Sequence, residues 1–550
     1  MDGDQLKARH QRTKSSVGRR GLLAGIVVLV IIVVGASLAL TGSQHSTRGP
    51  AKSRAASLHH RSHTHSLAAT FNGPDGVEAR WVIDQNKLPG TSAWRITGTQ
   101  TPDGIMGYTN HPQARLGQTV DVYVSTQAPT FTIEAFRMGY YQGLGARLVW
   151  TSRRLTGVAQ PSCNASAPLY MVQCDWSMST SFPITKAFVQ GDYLLKLVGS
   201  NGQQSYIPLT VWDPNSTATY VVMNANFTWQ AFNPFGGYDL YQGATPEPGY
   251  PPPNRSRVLS FDRPYGYGNG AANFLTNEYP LVRYMEKHGL NVTYWTNITL
   301  TVHGNLLTKH KALLSLGHDE EWSTRMRANA VTAANHGVNL VFFGASPILR
   351  KVRLQASPLG PNLEVVNYRD PQADPLYGVD NARVTQNWWG QPPANLPAAQ
   401  LVGNTYIGYN NNQSFPLVVT DAKSWLFART GLANGATIPG LLKYDFDGYD
   451  PSRPNPPGVQ ILSHSPVVIG FDNHKMYADT TYVTNRTSEA GIFESGTNNW
   501  IAAMQPCTTT TSSCPSHLVR IMTGNILKLF GAGPTGATNP SVANWSNYYH

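Results

Sequence analysis

Apolar and polar residues alternate along Thr119-Val-Asp-Val-Tyr-Val-Ser125, Phe131-Thr-Ile-Glu-Ala-Phe136 and Asp192-Tyr-Leu-Leu-Lys-Leu-Val198. A period of two is the signature of strands with one buried face. Turn residues punctuate these runs at Pro89-Gly90, Asp103-Gly104, Gly143-Leu-Gly145 and Asn201-Gly202. Several short strands at this spacing predict an immunoglobulin-like β-sandwich over residues 69–213. Gly191-Asp192-Tyr193, just ahead of a strand, resembles the surroundings of a tyrosine corner.

The pattern changes after Asp213-Pro214. Thr219-Tyr-Val-Val-Met223 is the continuous apolar run of a buried strand. Val258-Leu-Ser-Phe261, a helix from about Glu278 to His288, Asn291-Val-Thr-Tyr-Trp295 and a strand over 312–316 follow. A helical pattern then runs from Ser323 to His336 and a strand from Val338 to Gly344. Strands alternating with helices predict an α/β domain with a mostly parallel sheet. From about residue 365 the chain returns to β-like runs, at Leu417-Val-Val419, Ser465-Pro-Val-Val-Ile469 and Ala490-Gly-Ile-Phe493. A helix near His517–Phe530 closes the domain, which is expected over 214–535 with a tail at 536–550. The Tyr/Pro/Gly-rich stretch 224–270 is too long for a structureless loop, and its aromatic content argues for packing.

Residues 21–40 are uncharged and apolar. At about 1.5 Å per residue they span a hydrocarbon core of about 30 Å. Lys7, Arg9, Arg12, Lys14, Arg19 and Arg20 precede them. The expectation is a basic cytoplasmic tail (1–20), a single membrane anchor (21–40), a tether (41–68) and an extracellular remainder. A cleaved signal peptide ending at Ser37-Leu38-Ala39 is the competing reading. Four cysteines suit an oxidising compartment, and two local disulfides are expected, Cys163–Cys174 and Cys507–Cys514. The net charge of +11 does not imply nucleic acid: residues 1–62 hold ten Lys/Arg and two Asp, so +8 resides there and +3 in all the rest.

The densest chemistry is Leu313-Leu-Ser-Leu-Gly317-His318-Asp319-Glu320-Glu321-Trp322-Ser323. A strand runs into glycine, and a histidine and three carboxylates follow at the strand's carboxyl end, where open α/β sheets bind ligands. Adjacent acids repel unless a cation, a proton or a helix N-terminus compensates. The plain alternative is that Asp319 caps the next helix, with Glu320 and Glu321 favouring its positive end. There is no Gly-X-Ser-X-Gly elbow or phosphate-binding loop, and no cysteine nucleophile in the 317–323 turn. Gly236-Gly237 and 266–270 read as tight turns. The Tyr/Trp density at 220–241 suits packing better than a sugar platform.

Blocks in a shared order resemble the N,N-dimethylformamidase large-subunit family, in its membrane-attached or secreted relatives of high-GC Gram-positive bacteria. They are Leu88-Pro-Gly-Thr-Ser-Ala-Trp-Arg-Ile96, Ala135-Phe-Arg-Met-Gly-Tyr-Tyr141, Ser260-Phe-Asp-Arg-Pro-Tyr265, Asn277-Glu-Tyr-Pro280, Gly317-His-Asp-Glu-Glu-Trp-Ser323, Gly337-Val-Asn-Leu-Val-Phe-Phe-Gly344 and Gly491-Ile-Phe-Glu-Ser-Gly-Thr497. The resemblance implies a sandwich followed by an α/β domain similar to class I glutamine amidotransferases. It also implies an amidase holding one iron through two tyrosines and a glutamate. Glu321 stands where the family has one tyrosine, Asp445 where it has the glutamate, and Tyr279 matches the other tyrosine by spacing. Two of three ligand positions therefore differ. What is carried over is a site for iron or another hard cation on Tyr279, Glu321 and Asp445, with His318, Asp319 and Glu320 relaying protons or adding ligands. Two carboxylates meeting there are expected to titrate as a coupled pair, one of them raised. Two functions stand open: a surface-anchored amidase-like hydrolase acting on a small amide or envelope-derived substrate, and a non-catalytic envelope protein binding glycan or peptide on the same fold.

Overall fold

The alternating segments pair into two facing sheets. A computed structural model describes residues 69–245, 252–470, 474–507 and 514–549, all within one compact unit. Strand β1 (Thr119–Thr126) is the centre of a three-stranded antiparallel sheet. Strands β2 (Thr130–Met138), β3 (Gly191–Gly199) and β4 (Gln204–Val211) form the middle of a six-stranded one. Val120, Val122 and Val124 from the first sheet share a core with Phe131, Ile133, Leu195 and Leu197 from the second. Each such side chain contributes about 1.5–3 kcal/mol on burial. The other face of β2 and β3 is covered as well: Phe136, Met138 and Leu194 pack on Trp94, Tyr206, Trp229, Phe274 and Tyr279.

The second half alternates as expected. Strand β5 (Tyr220–Asn224) leads to a short helix α1 (Asn226–Ala231). Helix α2 (Tyr279–Lys287) follows a single π-helical turn at Phe274–Glu278 and begins with Pro280 in its first turn. Then come β6 (Val292–Thr296), β7 (Ala312–Ser315), helix α3 (Thr324–Asn335) and β8 (Asn339–Phe342). A long strand β9 (Thr437–Gly448) belongs to a separate hairpin, and β10 (Gln460–Ile469), β11 (His474–Thr484) and β12 (Gly491–Glu494) precede helix α4 (Ser516–Ala532). The main sheet runs β6-β5-β7-β8-β12-β11-β10. Its first five strands are parallel and the last two antiparallel.

Neighbouring residues of one strand serve opposite faces. Tyr220 and Val222 pack with Leu281 and Met285 of α2 and with Met522 and Ile526 of α4. Val221 and Met223 pack with Phe227 of α1 and with Met326 and Ala330 of α3. Helices therefore cover both faces, and the carboxyl edge of the parallel strands stays open to carry a site. The whole is a sheet-rich α/β fold with few helices.

Two expectations change. The turn after β7 does not enter the helix directly, because Glu321–Ser323 first forms a short strand beside Arg350–Val352. The cap of α3 is Ser323, whose hydroxyl accepts from Met326 N at 3.1 Å, and not Asp319. Both disulfides form as expected, with Cα separations of 4.6 Å for Cys163–Cys174 and 5.8 Å for Cys507–Cys514. They point to an oxidising environment. Among the described residues no helix is long and apolar enough to cross a membrane. The apolar run 21–40 lies outside the described residues.

One ion pair ties the two sheet systems together. Arg137 of β2 faces Glu286 of α2 at 2.7 and 3.1 Å, and neither side chain has any exposure. Arg137 also donates to the Gln190 carbonyl and to the Tyr141 hydroxyl. Asn86 and Tyr294 donate to Glu286. Removing one partner strands a buried charge, at about 3–5 kcal/mol. Arg137→Ala should lose about that much in urea denaturation, whereas Arg137→Met combined with Glu286→Leu should lose markedly less. Equal losses would refute the ion-pair account.

Asp192 on β3 supplies a pH-dependent contribution. It is buried, its Oδ1 accepts from Thr210 at 3.0 Å and Asn224 at 2.7 Å, and burial pushes its pKa up to about 7 against those two bonds. The unfolded group titrates near about 4. Between these values the folded state holds a proton that the unfolded state has lost, so this contribution falls as pH rises from about 4 to about 7 and is flat above. The stability of the wild type relative to Asp192→Asn should therefore decline across that window in pH-dependent denaturation. A difference that stays level, or rises, would contradict the assignment.

Candidate functional site

Four segments deliver the site from the open edge of the main sheet. Strand β7 ends at Ser315, and Gly317 follows with φ +54°. A Cβ on Gly317 would stand 2.7 Å from the Asn277 carbonyl oxygen, so this position takes glycine for space as well as conformation. The chain then presents His318, Asp319 and Glu320. Strand β8 ends at Phe342 and leads to Ser346, held at φ +55° with its amide donating to both Asp447 oxygens at 2.8 and 2.9 Å. Strand β12 leads to Asn498, and β9 of the neighbouring hairpin carries Asp445.

His318, Glu320 and Asp445 converge. His318 Nε2 stands 2.9 Å from Glu320 Oε1 and 3.2 Å from Asp445 Oδ2. Ser346 Oγ donates toward the same two carboxylates at 3.3 and 3.2 Å, and Asn498 Nδ2 donates to Asp445 at 3.1 Å. One ligand atom from each of the three lies within 4.8 Å of the others. The group lines a cavity of about 600 Å³ together with Phe232, Tyr241, Arg350, Tyr406 and Tyr444.

Electrostatics divide the two neighbouring glutamates. Burial opposes the charge on Glu320, but Arg350, with Nε 3.5 Å from Oε2, and His318 outweigh it and hold the carboxyl well below its usual range. Glu321 forms no ion pair among the described residues, and Arg350 and His318 lower it less than its surroundings raise it. Burial, then the charge of Glu320, push it up to about 7, although Thr228 donates to it at 2.6 Å. The Tyr241 hydroxyl donates to Glu320 and stands 3.4 Å from Glu321. Burial and both glutamates keep this phenol neutral. His318 is desolvated too, yet Glu320 and Asp445 raise its pKa well above the ordinary value.

The expected residues separate into two sets. His318, Glu320 and Asp445 meet. Glu321 is one bond network away, behind Tyr241. Asp319 faces the protein interior, where its carboxylate accepts from Ser315 at 2.7 Å and Asn297 at 3.1 Å; it is a pin for the turn rather than a cavity group. Tyr279 does not join Glu321 and Asp445. Its hydroxyl sits 2.8 and 3.1 Å from the Gly145 and Gly139 carbonyls, and its ring lies edge-on to Trp94. The carboxylate whose charge raises Glu321 is that of its chain neighbour Glu320. Tyr241, Arg350, Ser346 and Asn498 were not singled out in the sequence. Position relative to strand ends could have found Ser346 and Asn498, since each follows a parallel strand closely.

A family model described as N,N-dimethylformamidase beta subunit-like, C-terminal, matches residues 132–514, well over half of the chain. No curated protein matches it. Among solved structures, a Paenibacillus sp. cycloisomaltooligosaccharide glucanotransferase complexed with cycloisomaltoheptaose aligns at 12% identity, over 22% of this chain and 15% of that one, with a TM-score of 0.14. An uncharacterized protein from Bacillus anthracis str. Ames aligns at 11% identity, over 21% of this chain and 98% of that one, with a TM-score of 0.13. Neither structural likeness bears on the site.

The site depends on a close backbone approach. A Cβ on Gly344 would stand 1.8 Å from the Gly317 carbonyl oxygen. Two backbones would have to part, moving the turn that carries His318. Gly344→Ala should cost about 3 kcal/mol or more, measured by chemical denaturation. A cost under about 1 kcal/mol would show that the approach is looser than described.

Proposed function

The chain belongs to the N,N-dimethylformamidase beta subunit-like family, and on that premise we propose that it hydrolyses amide-type C–N bonds at the His318–Glu320–Asp445 cluster with the help of a bound metal ion. The observation that carries this reading is the convergence of one imidazole and two carboxylates on the wall of a cavity. Their donor set fits a cation. The three donor atoms lie close together, 2.9 and 3.2 Å from His318 Nε2, and a cation would bind them by displacing the imidazole proton that the two carboxylates now share. A hard cation, iron or another, held there by His318, Glu320 and Asp445 would supply Lewis acidity for an amide carbonyl and acidity for water.

The chain's own groups supply the rest. Asn498 and Ser346 fix the Asp445 carboxylate, and Arg350 keeps Glu320 ionised. Hydrolysis adds water across the C–N bond, so one proton leaves the water and one reaches the departing nitrogen. Glu321, poised near neutrality, is the proton store. Tyr241 lines the cavity and touches both glutamates, which makes its hydroxyl the passage between store and substrate. In this reading residues 69–213 form an immunoglobulin-like sandwich and 214–535 an amidotransferase-like domain bearing the site. The apolar run 21–40 anchors the molecule with the site outside the cell.

A second reading has its own support. His318 and Arg350 already balance the two carboxylates, so the cluster is electrostatically complete without a cation. A binding protein for envelope glycan or peptide needs no more than that. Elemental analysis of the purified full chain, with a panel of small N-substituted amides, separates the two. The hydrolase reading expects about one metal per chain, lost in Glu320→Gln with the fold retained. It also expects turnover to fall at least about 100-fold, beyond the effect of losing an outer partner of a ligand. Metal-free protein without turnover on the panel supports the binding reading.

A further inference from the structure

Helix α2 carries a second cavity, of about 830 Å³, on its solvent side. Arg95, Arg283, Lys287 and Arg520 line it, and among the described residues no Asp or Glu does. A fifth base, His288, is already paired with Asp75 at 2.7 Å. None of the four forms an ion pair among the described residues.

Aromatic faces and carbonyls position these cations instead of carboxylates. The Arg95 guanidinium lies 4.5 Å from the centre of the Trp94 ring, and Arg283 and Lys287 lie 5.3 and 5.9 Å from that of Tyr140. Arg520 donates to the Met504 carbonyl at 2.8 Å and Arg283 to that of Gly143 at 3.3 Å. A ring face or a carbonyl orients a cation but leaves its full charge uncompensated. Arg520 is close enough to Arg283 that, after burial, this like charge is the next influence depressing its pKa. Crowding like charges around a hollow costs free energy that a bound anion recovers. The volume suits a small-molecule segment and not a long polymer track.

The hollow adjoins the candidate site, since Thr276 and Gln505 wall both cavities. We propose that it is an anionic subsite: the scissile amide is attached to a segment bearing two or more phosphate or carboxylate groups, which Arg95, Arg283, Lys287 and Arg520 hold. Arginine suits both groups because its planar fork meets two oxygens at once. The word substrate rests on the hydrolase reading; the anion binding does not.

Calorimetric titration of the full chain with tripolyphosphate and with propane-1,2,3-tricarboxylate tests this. One equivalent should bind, more weakly as sodium chloride is raised, and the better probe identifies the group. Arg283→Ala with Arg520→Ala should weaken binding at least about tenfold, the effect of losing a charge-assisted hydrogen bond. Arg383→Ala, at an exposed arginine outside the cavity, should leave binding unchanged. Should the double variant not fold, Lys287→Glu at the exposed rim should show the same loss. Absent binding of both probes overturns the proposal, as does wild-type affinity in the cavity variants. Oligonucleotide affinity that keeps rising with length would overturn it too, in favour of a nucleic-acid surface. Glu320→Gln should bind the probes normally. Absent metal and turnover with the probes still bound would defeat only the hydrolase reading. Turnover with no probe binding would defeat only this one.

Discussion

The Arg137–Glu286 pair is the constraint from which the arrangement around α2 follows. Two charges with no exposure cannot be left apart, so β2 and α2 have one mutual position in which both are satisfied. Burial lowers the stability of the charged forms, and the pair does little more than offset that cost. What it supplies is registration. Asn86, Tyr141 and Tyr294 complete the network, and each comes from a different element. With α2 fixed, Tyr279 reaches the Gly139–Gly145 turn, and Arg283 and Lys287 come to face Tyr140. The cation-lined hollow is a consequence of that placement.

The candidate site uses buried charge differently. Here the network is incomplete by one group. His318 and Arg350 provide two positive charges, and Glu320 and Asp445 use them. Glu321 has a hydroxyl, a phenol and a repelling neighbour, but no ion pair among the described residues. A carboxyl in that position is where a proton is easily gained and lost. The same logic recurs behind the site, where burial raises Asp447 to about 6 and raises Glu494 well above its ordinary value beside it. Burial and the charge of Asp447 favour a proton on Glu494, while Asp447 itself accepts from the Ser346 amide and braces that turn.

Much of the fold was legible because packing and periodicity agree. The alternation at 119–125, 131–136 and 192–198 appears as strands, and the apolar runs at 219–223, 312–316 and 338–344 appear as the parallel core of the sheet. The location of the site was legible for the same reason: β7 meets a glycine, and chemistry-bearing residues follow. Its membership was not. Glu320 and Glu321 are adjacent, and only the short strand at 321–323 decides that one faces the cavity and the other Thr228. That strand exists through pairing with Arg350–Val352, a partner no local pattern at 321–323 could announce. Asp445 was found by family resemblance and does reach the cluster. Tyr279 was chosen by spacing, and the π-helical turn before α2 belongs to a segment that packs it against the sandwich. The tyrosine that does reach the glutamates, Tyr241, lies in a stretch whose aromatic density read correctly as packing and hid one polar use among many apolar ones.

Under the metal-dependent reading proposed above, Glu321 in place of the tyrosine that the family resemblance implies would change more than one ligand position. A phenolate-rich set favours a hard, highly charged ion, whereas one imidazole with two carboxylates accepts a wider range of divalent ions. Had Glu321 entered the ligand group, a third carboxylate would have restored the anionic charge lost with the phenol. Instead it lies behind Tyr241, and the third potential donor beside Glu320 and Asp445 is His318. Arg350 subtracts further negative charge from Glu320. The centre is therefore less anionic than the three acids of the turn suggest. In the proposed metal-dependent reading, a less anionic centre would hold a cation less tightly and leave it more electron-poor, favouring polarisation of an amide carbonyl over retention of the ion. In that reading retention and reactivity would be opposed, and Arg350, 3.5 Å from Glu320, would set the balance between them.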